Sequence, residues 1–328
     1  MFNSSLATEM LSYLELRSAC FAPGTVSVDK SALISFDQHL CEKNFKGKNL
    51  NEEIVTSWIL TLFGKSETIK NKIGVIRKFA RYLNSLGIHS FIPELPIVKS
   101  DFIPYIYSDQ ELQLIFYYAD HLTSKKPHLC SSHFNLKIPM AIRILYGCGT
   151  RIGETMALQR KDIDLQNGTI FLRNTKFSKE RVIPMHDSLR ILLERYCLAL
   201  GILDKPDAYL FPGRKKDSHF TPRQMDTWFA RILELANIDQ ENRRQHKYES
   251  RLHCFRHLFV LKSMQQIESS GRSVDMNDLL LPTYLGHECL LDTDKYMRFS
   301  GVQVADNIEA FETFTLGLIP TVEVAYEE

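Results

Sequence analysis

His253-Cys254-Phe255-Arg256-His257, followed by Leu285-Gly286-His287 and then by Thr293-Asp294-Lys295-Tyr296, is the stretch on which the reading of this chain turns. Imidazoles, a guanidinium and a phenol hydroxyl fall within 44 residues. Histidine titrates near neutrality and can move protons, arginine binds oxyanions, and a hydroxyl can act as a nucleophile. Together they suggest phosphoryl chemistry, which the rest of the chain has to supply with partners.

At 328 residues the chain is too long for one typical core, so two domains are expected. With 44% hydrophobic and 24% charged residues it has the composition of an ordinary globular protein. The net charge of +1 neither implies nor excludes a polyanionic partner, because the placement of the charge decides that. From Lys65 to Arg81 six Lys or Arg stand against one Glu, whereas from Phe299 to Glu328 there are six acidic residues and no Lys or Arg. The first region can face phosphate and the second should avoid it. Seven cysteines (20, 41, 130, 148, 197, 254 and 289) are scattered with no CxxC pair, which argues against a zinc site or a disulfide framework. The first residues carry no basic segment followed by an apolar run, and no apolar stretch approaches the roughly 20 residues that span a bilayer. The expectation is a cytoplasmic protein with no membrane contact.

The first hundred residues have apolar positions at helical spacing and no strand alternation. Leu6, Met10, Leu11 and Leu14 mark a first helix, and Ser27, Val28 and Leu33 to Leu40 a second. Ile54 to Phe63 reads as a third and Ser66 to Leu86 as a fourth. In the fourth, Ile69, Ile73, Ile76, Phe79 and Leu83 form an apolar stripe, while Lys70, Lys72, Arg77, Lys78 and Arg81 populate much of the remaining surface. A charge run is most often a solvated face, but the lack of balancing acids points these residues toward phosphate. Pro93, Pro96 and Pro104 then break the pattern and mark a linker over residues 96–107.

Ser108 caps the next helix with Glu111 three residues on, and Ile138 to Tyr146 is a further helix ending at Gly147-Cys148-Gly149-Thr150. Arg151 to Leu158 reads as a short helix, and Thr169 to Arg173 with Arg181 to Met185 as a β-hairpin around Asn174 to Glu180. Asp187 to Leu200 and Pro222 to Ala236 are helices, the latter with Thr221 at the cap and proline in the first turn. The expected fold is mainly α with a small antiparallel sheet (α+β).

Singly, each candidate residue has a plain structural reading. Arg151 would pair with Glu154 one turn on, His253 and Arg256 would be a core pair on one helix face, Lys176 a solvated turn lysine and Tyr296 a packed aromatic. The series is more specific: Gly149-Thr150-Arg151-Ile152-Gly153-Glu154, then Lys176 to Arg181 before Val182-Ile183-Pro184, then His253-x-x-Arg256-His257, Leu285-Gly286-His287 and Tyr296. In that order and spacing the chain resembles the tyrosine recombinases, the phage integrase family, over about Ser108 to Gly301 and more loosely over the basic helical N-terminal half.

The resemblance implies a helical, SAM-like core-binding DNA-binding domain over residues 1–95, a catalytic domain over 108–316 and an acidic tail over 317–328. It implies a site-specific recombinase that cleaves DNA through a 3′-phosphotyrosyl link, an integrase or transposase of a mobile element. Arg151 and Arg256 match the phosphate-binding arginines, where loss of one fixed donor should cost ~10²–10³ in rate. Tyr296 matches the nucleophile; with an ordinary pKa of about 10, only about one in a thousand is phenolate at pH 7, so it needs a proton acceptor. His253 matches the general acid/base, Lys176 the acid for the 5′ leaving oxygen, and His287 a phosphate ligand or a residue orienting the tyrosine. Glu154 matches an acidic position that holds its neighbours by hydrogen bonding, and His257 a packing histidine. Lys179, Arg173 and Arg181 on the hairpin are read as phosphate contacts or solvated charges, and Arg243 and Arg244 as DNA-facing or solvated. No cofactor and no metal are expected.

The partners implied are double-stranded DNA, a homotetramer on two DNA sites joined through the C-terminal helix, and accessory bending or directionality factors. The setting implied is a prokaryotic or phage nucleoid. A type IB topoisomerase-like relaxing enzyme and a catalytically silent DNA-binding regulator are the alternatives. One departure stands out: 30 residues separate Arg256 from His287, and the polar run Gln265 to Ser273 reads as an insertion.

Overall fold

A computed structural model describes residues 2–98, 104–123, 133–173, 180–215, 217–238, 250–269 and 284–285. Lys176, Lys179, Arg243, Arg244, His287, Tyr296, the acidic tail and the apolar residues Ile308, Phe311 and Phe314 lie outside the described residues. The chain divides into two compact units, Met1–Phe102 and Ile103–Glu328. Among the described residues the structure is mostly helical with one three-stranded antiparallel sheet, the fold class expected. No helix among them is long and apolar enough to cross a membrane.

The first unit holds α1 (Ala7–Cys20), α2 (Pro23–Glu42), α3 (Glu52–Thr61) and α4 (Ser66–Ser85). Its core is built around Trp58 and Phe36, whose rings meet edge to face at 5.2 Å, with Leu33, Leu40, Phe79 and Leu83. Asp37 ties down the start of the chain by accepting the Asn3 and Ser4 N–H groups at 2.9 and 3.0 Å. The Asn51 side chain caps α3 by accepting the Ile54 N–H at 3.1 Å. Some details differ from the sequence reading. The second helix starts at Pro23, four residues before Ser27, because proline in the first turn has its φ preset and no N–H to leave unpaired. Leu11 faces solvent, since the apolar face of α1 is narrower than its composition suggests, and Phe63 is exposed beyond the end of α3 at Thr61.

Four of the stripe positions on α4, Ile73, Ile76, Phe79 and Leu83, are buried. At roughly 100° per residue, Lys70, Arg77, Lys78 and Arg81 share one arc, while Lys72 falls on the core side and is half-buried. Lys78 and Arg81 are exposed, and Arg77 donates from Nη1 to the Pro93 carbonyl at 2.5 Å, which fixes the chain leaving this unit.

The second unit contains α5 (Asp109–Asp120), α6 (Phe134–Cys148), α7 (Ile152–Met156), α8 (Asp187–Ala199), α9 (Pro222–Leu235) and α10 (His253–Ser269). Its strands are β1 (Ile163–Asp164), β2 (Thr169–Leu172) and β3 (Arg181–Pro184). The capping boxes of Ser108 with Glu111 and of Thr221 with Gln224 are both formed. In the sheet, Ile170 pairs with Ile163 and Ile183, and Leu172 with Arg181 at the head of the hairpin. Ile163, Ile170, Leu172 and Ile183 point to the core, while Val182 is exposed. β1 has two residues and thus no period for sequence to reveal. α6 begins at Phe134 and carries Pro139 inside it: the ring gives up one helix hydrogen bond and crowds the preceding turn, and burial of Ile138, Met140, Ala141 and Ile142 around it offsets that cost. α10 runs on through Ser269, so the first part of the Gln265 to Ser273 run continues a helix.

Candidate active site

The site is assembled on the turn that ends α6. Gly149 closes that helix in the left-handed region, with φ +57°, and its N–H bonds the Leu145 carbonyl at 3.0 Å. A side chain there would also collide with Phe259, whose ring carbon lies 2.5 Å from the place a Cβ would occupy. The turn therefore depends on glycine twice, for its backbone angle and for the approach of α10.

That approach is held by Arg256. It is 2% exposed, donates from Nη1 to the Gly149 carbonyl at 2.9 Å and from Nη2 to the Leu285 carbonyl at 2.7 Å. Tyr284 stacks on Phe259 with centroids 5.3 Å apart and donates its hydroxyl to the Cys148 carbonyl at 3.1 Å. Burial pushes its phenol pKa far up, so that hydroxyl stays a donor. Residues 148–149, 256, 259 and 284–285 thus form one bonded cluster.

Two residues beyond Gly149, Arg151 stands at the N-cap of α7. Its backbone N–H reaches Glu154 Oε2 at 3.0 Å and its Nη1 reaches Glu154 Oε1 at 2.8 Å, the i,i+3 pairing expected. Behind them Thr150 and Thr155 share a hydroxyl hydrogen bond of 2.6 Å. Arg181 is a different matter from the solvated or phosphate-facing charge expected: it meets Glu154 with two bonds, Nη1 to Oε1 at 3.2 Å and Nη2 to Oε2 at 2.8 Å, and its side chain is 11% exposed. The strand pleat decides this, because the pairing of Leu172 with Arg181 lays the hairpin head beside α7. Burial alone would raise the Glu154 pKa, but the Arg181 hydrogen bond, the Arg151 N–H, the Arg181 charge and the Arg151 side chain outweigh it and hold the carboxyl below its ordinary value. Arg173, whose reading was equally open, pairs through Nε with Asp162 at 2.5 Å. A cavity of about 480 Å³ opens beside these groups, lined by Arg151, Glu154, Gln159, Arg173, Tyr209 and His219.

His253 opens α10 one turn before Arg256 and is exposed, with its ring edge-on to that of His257 at 4.9 Å. Crowding by surrounding protein, then the charges of Arg256, Arg151 and Arg251, push its imidazole down to about 4. His257 is likewise held down to about 3 by burial and by His253 and Arg256. Both are neutral at pH 7. The structure therefore brings Arg151, Glu154, His253 and Arg256 together from segments about 100 residues apart in the chain. It adds Gly149, Arg181 and Tyr284, which the sequence reading gave no positioning role; the Gly-Cys-Gly turn and the short spacing from Lys176 to Arg181 were the signals that pointed to the first two.

An imidazole and two guanidiniums meet on a mainly helical unit with one small sheet. Residues 109–299 match the phage integrase family, and the chain belongs to it: it is a tyrosine recombinase, an enzyme that cleaves and rejoins DNA strands. A putative integrase/recombinase, y4rE of Sinorhizobium fredii (strain NBRC 101917 / NGR234), is 26% identical over 73% of this chain and 75% of its own. In fold the chain is similar to the XerH site-specific recombinase bound to its palindromic difH substrate, with TM-score 0.63 and 20% identity over 83% of this chain and 75% of that one. It is also similar to a lambda integrase dimer bound to a COC′ core site, with TM-score 0.66 and 16% identity over 91% and 78%.

Gly149→Ala should lower the stability of the protein by at least about 2 kcal/mol, combining a left-handed backbone with overpacking. Urea unfolding checks this, and Phe259→Leu in the same chain should restore part of that stability by relieving the collision.

Proposed function

We propose that this recombinase cuts one DNA strand at a specific site by attack of Tyr296 on the scissile phosphate, leaving a 3′-phosphotyrosyl bond and a free 5′ hydroxyl. A 5′ hydroxyl from the partner strand then attacks the same phosphorus, displaces the tyrosine and rejoins the strands. Arg151 and Arg256 hold the non-bridging oxygens as negative charge builds in the five-coordinate transition state. A guanidinium suits this because its planar fork donates parallel bonds and keeps its charge. His253 accepts the phenol proton, Lys176 delivers a proton to the leaving 5′ oxygen, and His287 hydrogen-bonds the phosphate. Glu154 holds Arg151 in place.

The observation that carries the reading is the convergence of His253 and Arg256, one turn apart on α10, with the turn that bears Arg151, where Arg256 bonds the Gly149 carbonyl; surrounding protein and then the arginine charges hold the imidazole down to about 4. At neutral pH it is a proton acceptor, which a phenol with an ordinary pKa requires. Exposed Lys78 and Arg81 on α4, with Lys70, support DNA binding by the first unit, where Arg77 is partly engaged with Pro93. Lys179, Arg243 and Arg244 add phosphate contacts in the second unit. Exchange takes place among four copies on two DNA sites, joined through the C-terminal segment in which Ile308, Phe311 and Phe314 stand among acids. The event is the integration or transposition of a mobile element in the bacterial cytoplasm, assisted by bending or directionality factors.

Tyr296→Phe should bind its site normally and form no covalent adduct on a nicked suicide substrate resolved on a denaturing gel; an adduct at the usual yield sinks the assignment. Since His253 is already neutral, the single-turnover cleavage rate should stay flat from pH 8 down to about 5 and fall only as pH nears 4. A limb centred near 6.5 that vanishes in His253→Asn would contradict it. Lys78→Gln with Arg81→Gln should flatten the plot of log affinity against log salt by about 0.9 for each phosphate the protein no longer neutralises.

A further inference from the structure

Arg181 is a cation of this site that the reaction as proposed leaves without a task. It is not a surface charge. Its side chain is 11% exposed, and the carboxylate it meets is 6% exposed. A carboxylate offers about four acceptor positions, and those of Glu154 are taken up by two bonds from Arg151 and two from Arg181. The Arg181 pair is the two-pronged one, both of its Nη groups bonding the two separate oxygens, whereas Arg151 contributes one guanidinium nitrogen and its backbone N–H.

The charge balance follows from this geometry. With Arg181 present the triad carries a net single positive charge; without it, the Arg151 and Glu154 pair is neutral. In a site of low dielectric a lone buried carboxylate would bind the nearest guanidinium strongly, in competition with an incoming phosphate. Arg181 also stands at the head of β3, in the register pair with Leu172, five residues after Lys176 in sequence. One carboxylate therefore links the cap of α7 to the hairpin.

We infer that Arg181 is a positioning residue which neutralises Glu154 from behind, so that Arg151 keeps its positive charge for the scissile phosphate, and which locks the hairpin to the arginine that phosphate meets. The inference rests on the assignment of Arg151 to the phosphate. It requires no contact between Arg181 and DNA. Its role is electrostatic, so removing the acid should compensate for removing the base.

The test uses the full chain on a suicide substrate, with single-turnover adduct formation at saturating DNA and site affinity measured separately. Arg181→Met keeps the apolar stem and removes the charge; it should slow adduct formation about 10- to 100-fold, the usual effect of losing a residue that supports a charged centre. Affinity should change less than about threefold, since most of it comes from backbone phosphates elsewhere. Glu154→Gln combined with Arg181→Met restores the single positive charge on Arg151 and should react at least about tenfold faster than Arg181→Met alone. Arg181→Lys, with the charge but not the fork, should fall between wild type and Arg181→Met. A double variant as slow as Arg181→Met, or slower, would overturn the inference, because a packing role gives no such recovery. If Arg181→Met proves too unstable to assay, Arg181→Gln decides: slowed cleavage at unchanged affinity that Glu154→Gln in the same chain restores supports the inference, and a rate unchanged by loss of the charge overturns it. Failure of the underlying assignment is seen separately, as an adduct rate that Arg151→Gln leaves unchanged.

Discussion

A guanidinium buried to 2% exposure and bonded to two main-chain carbonyls is the constraint on which the catalytic unit is built. Arg256 sits on α10, Gly149 closes α6 and Leu285 belongs to a third segment, so one side chain joins three pieces of chain. Taking a cation out of water costs several kcal/mol unless its donors are matched, and the Gly149 and Leu285 carbonyls match two of them. The two bonds fix the direction in which the planar guanidinium fork points. Lysine could not do the same, lacking the planar spread of donors that reaches two carbonyls at once.

Arg151 meets a carboxylate, which would neutralise it, and the second arginine at Glu154 offsets that. Arg151 and Arg256 both act on His253. The crowding of neighbouring groups comes first, and their positive charges with that of Arg251 add to it, making protonation of the ring unfavourable at neutral pH.

The first unit contributes by a simpler principle. α4 spends its apolar face on a core around Trp58 and Phe36, and its basic arc is left to solvent by default. Nothing in that arc needs a tertiary partner to be positive. The exception is Arg77, drawn to the Pro93 carbonyl because prolines near the exit of the unit leave carbonyls that no helix or strand uses.

By itself the sequence determined the helical character of both units, the capped starts at Ser108 and Thr221 and the antiparallel hairpin, and it singled out Arg151, Glu154, His253 and Arg256, which the fold brings together. These are local or ordered signals: apolar spacing, cap residues, and motifs whose order along the chain carries information whatever their distance in space. What only the tertiary structure decided was the use of each polar group. Arg181 read as a hairpin charge and is a buried partner of Glu154; Arg77 read as a phosphate contact and also braces Pro93; Gly149 read as a turn and is the contact point for Phe259. The physical reason is common to all three. A charge or a missing Cβ is visible in one residue, but whether it faces solvent, an acid or a ring depends on which distant segment packs against it, and that is set by register and helix crossing rather than by spacing along the chain.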